Sequence, residues 1–411
     1  ADNVLLRISD FVYVSGSFSF NKGPIKLVDV RTGLTELQAD IPLVGVDESA
    51  TDPGTSLARK SDGSIVWNLP VETLELGLSG VDVFVGYTNS LDAAAADGNL
   101  TTAELNAAGA TGFALDNVNL GMVMMRALPI SSAPALTAAK LKFFAVQADA
   151  DNLGLVGVPG IEMTAAIAEV QVNHGSFDIW PSVQGVNPPP VVDFALSFPD
   201  DSWGSTADAD TAADGYHVAT NTSGAFIPLL FDHPLIGGGA DQVNITISEF
   251  VHLSGSIYFE QGNTIDATLV AGLAGDVSGL GIPPAFGSVG SKNIQTMTIG
   301  ASNVEAFVGL NGPYWVDSAS GPNHNGLIDR DSSGNIIAAE VNPRATGLVI
   351  DNLNFGLLLG KPTNPADPIR YAALKASAQT VRLVGIDGIT ASADGIAVEL
   401  NLSTPSVSGL P

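Results

Sequence analysis

An internal repeat constrains this chain more than any single motif, because each copy must bury its apolar face in the same way and meet its neighbour in the same geometry. VLLRISDFVYVSGSFSFNKG, from Val4 to Gly23, matches VNITISEFVHLSGSIYFEQG, from Val243 to Gly262, with half of the positions identical. VETLELGLSGVDVFVG (Val71 to Gly86) matches IQTMTIGASNVEAFVG (Ile294 to Gly309), and ATGFALDNVNLGMVMM (Ala110 to Met125) matches ATGLVIDNLNFGLLLG (Ala345 to Gly360). LKFFAVQADADNLGLVGVPGI from Leu141 matches IRYAALKASAQTVRLVGIDGI from Ile369, and the copies close on VQVN at Asn173 and VELN at Asn401. The order is kept throughout, so the chain reads as two tandem copies of one module.

The expected organisation is a first copy over residues 1–175, a connection over 176–242 and a second copy over 243–411. The connection holds the proline run Pro188 to Pro190 and the segment DDSWGSTADADTAADG, and reads as linker plus docking strands. After Asn401 the remaining LSTPSVSGLP stands where another connection begins, as expected in a longer parent.

Apolar positions alternate with small or polar ones, as in Leu6, Ile8, Val12, Val14, Phe18 and Phe20, and a period of two means half-buried strands. The 45 glycines and 24 prolines are assigned to turns. One short interval per copy favours helix: LDAAAADGNLTTAELNAAGA after Leu91, and its counterpart around Ile336 to Glu340. The expected fold is all-β with minor short helix. Its layers are β-solenoid-like and stacked, with a sandwich as the close alternative and a twisted open sheet also possible from the pattern.

Sixteen basic against 43 acidic side chains leave a net charge of −27, which repels nucleic acid and anionic lipid and attracts divalent cations. No apolar run approaches the roughly 20 residues that span a bilayer, so no membrane insertion is expected. With no cysteine there is no disulfide and no thiolate metal site.

Between the second and third matching blocks lies the strongest chemical motif, DRDSSGNIIAAE. As a twelve-residue Ca2+ loop it offers Asp329, Asp331, Ser333, the carbonyl of Asn335 and a bidentate Glu340 as ligands, with Gly334 at the sharp turn and apolar Ile336 at the eighth position. A hard cation takes six to eight oxygens at about 2.3–2.6 Å, and a loop turning at glycine supplies them from alternate residues. A second frame uses Asn323 and Asn325 with Asp329 around Gly326. The first copy's equivalent, AAAADGNLTTAE, keeps Asp97, Asn99 and Glu104 but has Ala93 and Ala95 at the first and third positions. The loop pattern resembles an EF-hand or dockerin calcium loop.

The remaining motifs read as structural. Asp149 and Asp151 are expected in turns, and the repeated pairs Asp116–Asn117 and Asp351–Asn352 are expected to bond turn backbone. No nucleophile elbow, zinc helix or phosphate loop occurs, and the five histidines fall at non-equivalent positions in the copies, so no enzyme is expected.

FVYVSGSFSF, VEAFVGLNGPYW, GLVIDNLNFGLLL and ALKASAQTVRLVGIDGITA resemble the repeat blocks of very large secreted bacterial proteins, including those with an LEPR-XLL motif near their start, which this chain lacks. The resemblance covers both copies and implies a giant, calcium-rich extracellular array at the cell surface. Two functions follow as expectations. One is a structural or adhesive module of a filament, sheath or stalk that self-associates with identical or neighbouring modules. The other is a carbohydrate-binding or glycan-hydrolysing module that meets surface glycans, which requires Trp67 and Trp315 to be exposed in an aromatic-lined groove.

Overall fold

The structure, a computed structural model, describes residues 4–8, 12–33, 57–59, 64–88, 100–131, 140–177, 190–200, 212–221, 224–269, 290–317, 328–329, 331–332, 336–337, 339–364 and 367–404. In the first copy, β1 (Val4–Ile8), β2 (Val12–Asn21), β3 (Lys26–Arg31), β4 (Ala58–Arg59) and β5 (Ile65–Tyr87) precede the helix α1 (Thr102–Ala107). β6 (Thr111–Ala127), β7 (Lys142–Val156) and β8 (Ile161–Ser176) complete it. The connection contributes β9 (Val191–Asp193), α2 (Phe194–Ser197), β10 (Tyr216–Ala219) and β11 (Phe226–Leu229). The second copy contains β12 (Leu235–Ile247), β13 (Val251–Leu269), β14 (Gly290–Leu310), β15 (Trp315–Asp317), β16 (Ala339–Val341), β17 (Thr346–Pro362), β18 (Arg370–Val384) and β19 (Ala391–Thr404).

The fold is all-β, and both copies share one antiparallel sheet, ordered β1-β2-β5-β6-β7-β8-β12-β13-β14-β17-β18-β19, with β3 and β4 paired to β5 and β9 paired to β3. The long strands pair in chain order, so they build an open meander; the stacked, solenoid-like preference gives way to it. The boundary expected between residues 242 and 243 falls inside β12, which pairs with β8 on one side and β13 on the other. Among the described residues, layering occurs where shorter elements lie over the sheet.

Mid-strand bulges explain why the strands run longer than their punctuation suggests. Asn117 and its counterpart Asn352 sit at φ 52° and 49°, while Gly80 and its counterpart Asn303 sit at 61° and 53°. The register slips beside them, between Leu78 and Val81 in one copy and between Ala301 and Val304 in the other. Asparagine and glycine tolerate this left-handed conformation, so the D-N-x-N motif marks a bulge inside a continuous strand rather than a turn between strands. Side chains complete each bulge. Asn119 Oδ1 accepts from Ser79 Oγ and Gly80 N, both at 3.1 Å, and Asn354 Oδ1 accepts from Asn303 N at 3.0 Å.

Two kinds of core form on this sheet. At one end of the strands, Phe84 packs with Leu100, Leu105 and Ala114 beneath α1. Its counterpart Phe307 packs with Trp315, Ile328 and Val349 in the second copy. The larger core lies further along the first copy, where Val71, Val123 and Phe143 of the sheet meet Val192, Phe194 and Tyr216 of the connection. Fully burying such side chains contributes about 1.5–3 kcal/mol each, so the connection is part of the folded unit. Strands β9, β10 and β11 lie in it.

The helix expected in each copy is present in one. Thr101 caps α1 and shares a capping box with Glu104. The second-copy counterpart forms β16, paired with β15, with Val341 opposite Trp315. In the aligned loops Ile337 stands where Thr101 caps α1, so the second copy lacks the capping side chain.

Ile167 adopts φ 53°, a conformation that a β-branched residue tolerates poorly, and the equivalent residue in the second copy is Gly395 at φ 64°. Because Ile167 is 60% exposed, its side chain offsets little of that strain. Ile167→Asn is expected to stabilise the chain by about 1 kcal/mol, measured by urea unfolding at unchanged m-value.

Candidate functional site

The proposed cation loop is described only at its ends. Asp329 is buried, Asp331 is exposed, and a backbone bond from Ile337 N to Asp329 O at 2.9 Å closes the loop. Ile328 and Ile336 anchor it in the core around Phe307. The backbone of Glu340 pairs with Val316 in the β15–β16 ladder. Ser333, Asn335, Asn323, Asn325, Asp97 and Asn99 lie outside the described residues, as does the side chain of Glu340. Glu104 is described, and its Oε2 accepts from Thr101 N at 2.9 Å and Thr101 Oγ1 at 2.7 Å. That carboxylate therefore satisfies donors at the start of α1. Among the described residues, no three histidine, aspartate or glutamate side chains converge as a metal site requires.

Buried polar groups fasten the connection to the first copy. Tyr216 donates its hydroxyl to the buried Glu75 carboxylate, whose other oxygen accepts from Asn21 at 3.4 Å. Burial, and then the bond to Glu75, pushes the Tyr216 phenol well above its usual range. Asn173 closes the first copy and donates to Val192 O at 3.0 Å and His233 O at 2.9 Å, so a single side chain holds both ends of the docked segment. Asp193 caps α2 through Leu196 N at 2.9 Å and accepts from Arg31 Nε at 2.8 Å. Asp29 accepts from Asn68 N at 2.9 Å. Burial raises both Asp29 and Asp193 above the usual carboxylate range, yet each is engaged in holding backbone.

The bulge row carries acids in the first copy and a compensated pair in the second. Asp82 accepts from Leu100 N at 3.1 Å and Asn117 N at 3.4 Å, tying the approach to α1 to the β6 bulge. Asn117 and Asn119 donate to Asp151 and Asp149 at 2.6 and 3.0 Å. These aspartates thus lie inside β7, not in a turn. Burial first, and then the neighbouring Asp82 charge, raises Asp116. Its counterpart Asp351 is also raised by burial, opposed by the Arg382 guanidinium that bonds it through both terminal nitrogens, one at 3.1 Å.

The sequence signals for these anchors were incomplete. The closing asparagine was visible as a repeat, whereas Glu75 looked like any polar residue on an alternating strand. Trp67 and Trp315 are both only 7% exposed; Trp315 borders a pocket of about 450 Å³ but keeps its ring largely covered, and Trp180 and Trp203 lie outside the described residues. His217 stacks on Phe226 at 3.6 Å, and His252 bonds Thr246 at 3.1 Å. No family model, curated protein or solved structure matches this chain.

Tyr216→Phe removes the hydroxyl from a buried carboxylate and is expected to cost about 2 kcal/mol in chemical denaturation. Asp116→Asn is expected to stabilise at neutral pH. A raised folded-state pKa means that the wild-type penalty is absent below the unfolded value, about 4, and grows as pH rises through the folded value. The gain in melting temperature is therefore expected to vanish below that pH.

Proposed function

We propose that this chain is a structural, adhesive building block of an extracellular repeat array at a bacterial cell surface, in which modules join strand edge to strand edge and calcium stiffens the loops. The observation that carries this reading is the junction of the copies. β8 closes the first copy, β12 opens the second, and they pair antiparallel from Ile161 opposite Ile247 to Asn173 opposite Leu235. The junction is thus one more rung of the meander, and modules joined in this way extend a sheet without closing it.

Among the described residues, the outer edges of β1 and β19 have no strand partner. The junction register carried to a neighbouring molecule sets Ile389–Ser392 of one chain against Leu5–Ile8 of the next. Exposed edges of this kind are templates for pairing. The charge of −27 favours divalent cations and keeps such an array soluble. In this reading Asp329, Asp331, Ser333, Asn335 and Glu340 hold Ca2+, and the buried Asp329 and core-anchored Ile336 fix the loop ends. The burial of Trp67 and Trp315 weighs against the glycan-binding alternative.

Sedimentation over a concentration series, paired with thermal unfolding, tests the proposal with calcium and with chelator. The expected result is a higher midpoint with calcium, a smaller rise in Asp329→Ala, and species that grow with concentration, since an ion bound only to the folded state stabilises it. A monomer of unchanged midpoint under both conditions contradicts it.

A further inference from the structure

The connection seats in a gap that the sequence prepares. Gly77 and Gly121 face each other across β5 and β6, and the β10–β11 hairpin lies on them. A Cβ at Gly77 meets Ala219 O at 2.0 Å, and one at Gly121 meets the Ile227 side chain at 2.9 Å, so only glycine admits the hairpin this closely. The second copy repeats the gap. Gly300 faces Gly356 across β14 and β17, but among the described residues a Cβ at Gly356 meets nothing within 4 Å and one at Gly300 reaches only Phe355 O at 3.9 Å.

The surroundings of that gap repeat as well. Val71, Val123, Phe143 and Ala145, which are covered in the first copy, correspond to Ile294, Leu358, Tyr371 and Ala373. Asn401 takes the place of the clamping Asn173 and is exposed. Together with Thr298, Gly300, Gly356, Leu358 and Ala373, it borders an open trough of about 800 Å³.

We infer that this trough is a preformed acceptor for a second connection segment, a short β-hairpin of the β10–β11 kind laid across the Gly300–Gly356 gap and clamped by Asn401. The sequence after the second copy names the same occupant: PSVSGL at Pro405–Leu410 repeats PSVQGV at Pro181–Val186, the start of the first connection. Beyond the apolar exchanges, two contact positions change in kind. Thr298 replaces Glu75, so the second hairpin needs no tyrosine hydroxyl there, and Ser403 replaces Gly175, so its leading strand runs farther from β19 than Pro190 does from β8. The acceptor role follows from the repeat alone and holds whether or not the loops take calcium or the molecules assemble.

The chain has no cysteine, so a thiol placed in the trough reports its cover. Ala373→Cys is compared in the full chain and in the full chain extended after Thr404 by a second copy of its own residues 177–235, using a soluble disulfide reagent. The expected result is a labelling rate at least about tenfold lower in the extended chain, because a docked segment must open before the thiol reacts. Gly356→Val is expected to restore fast labelling while leaving the melting temperature of the unextended chain unchanged, since its side chain enters open space. Gly121→Val in the first copy serves as the control that collides with a hairpin already seated. Equal labelling rates in the two chains would overturn the inference, as would protection that survives Gly356→Val. Protection in the unextended chain that grows with concentration would also overturn it, since a whole neighbouring molecule would then be the cover.

Discussion

An antiparallel strand presents a row of N–H and C=O groups along each edge, and a strand is secure only when both rows are satisfied. In this chain the row on β8 is satisfied by β12, across the boundary between the two copies. The rest of the architecture depends on that contact. Because it uses the same ladder that joins strands within a copy, the repeat boundary is no seam, and the hydrogen-bond network runs from β1 to β19. Each copy thus meets the other through a strand edge rather than through a separate interface.

Packing follows from the ladder. A single sheet exposes two faces, and the first copy covers part of one with its connection, sealing Val71, Val123 and Phe143 beneath Val192, Phe194 and Tyr216. Close approach there depends on Gly77 and Gly121, and attachment depends on Glu75 and Asn173, which trade a buried charge and a buried amide for hydrogen bonds to the covering segment. Burying such groups is tolerated because they are paired. The segment that links the copies is therefore also the lid of the first one.

Strand content, the repeat and its order were all legible in the sequence, because alternation with period two is a direct imprint of a pleated surface. Strand length was not. Asn117, Gly80 and Asp116 carry the residue types of turns, and the same left-handed backbone that makes a turn also makes a bulge within a strand; only the ladder on both sides separates the two. The difference between α1 and β16 was half visible. Thr101 and Glu104 announce a capping box, whereas the second copy has Ile337 where Thr101 stands in the aligned loops and so lacks the cap. Anchors such as Glu75 and Tyr216 lie far apart in the chain, so no local pattern announces them. The proposed cation loop rests on its motif alone, Asp329, Asp331 and Glu340, and Ile336 packs partly buried against the core around Phe307.

Hydrogen exchange of the intact chain, followed residue by residue along β8 and β12, tests the central claim most directly. If the junction is an interior rung of one sheet, amides of residues 161–173 and 235–247 are expected to be as slow as those of β6 and β7 and to open with them. Fast exchange confined to β8 and β12, with each copy protected on its own, would contradict the account and make the chain two separate modules joined by a tether.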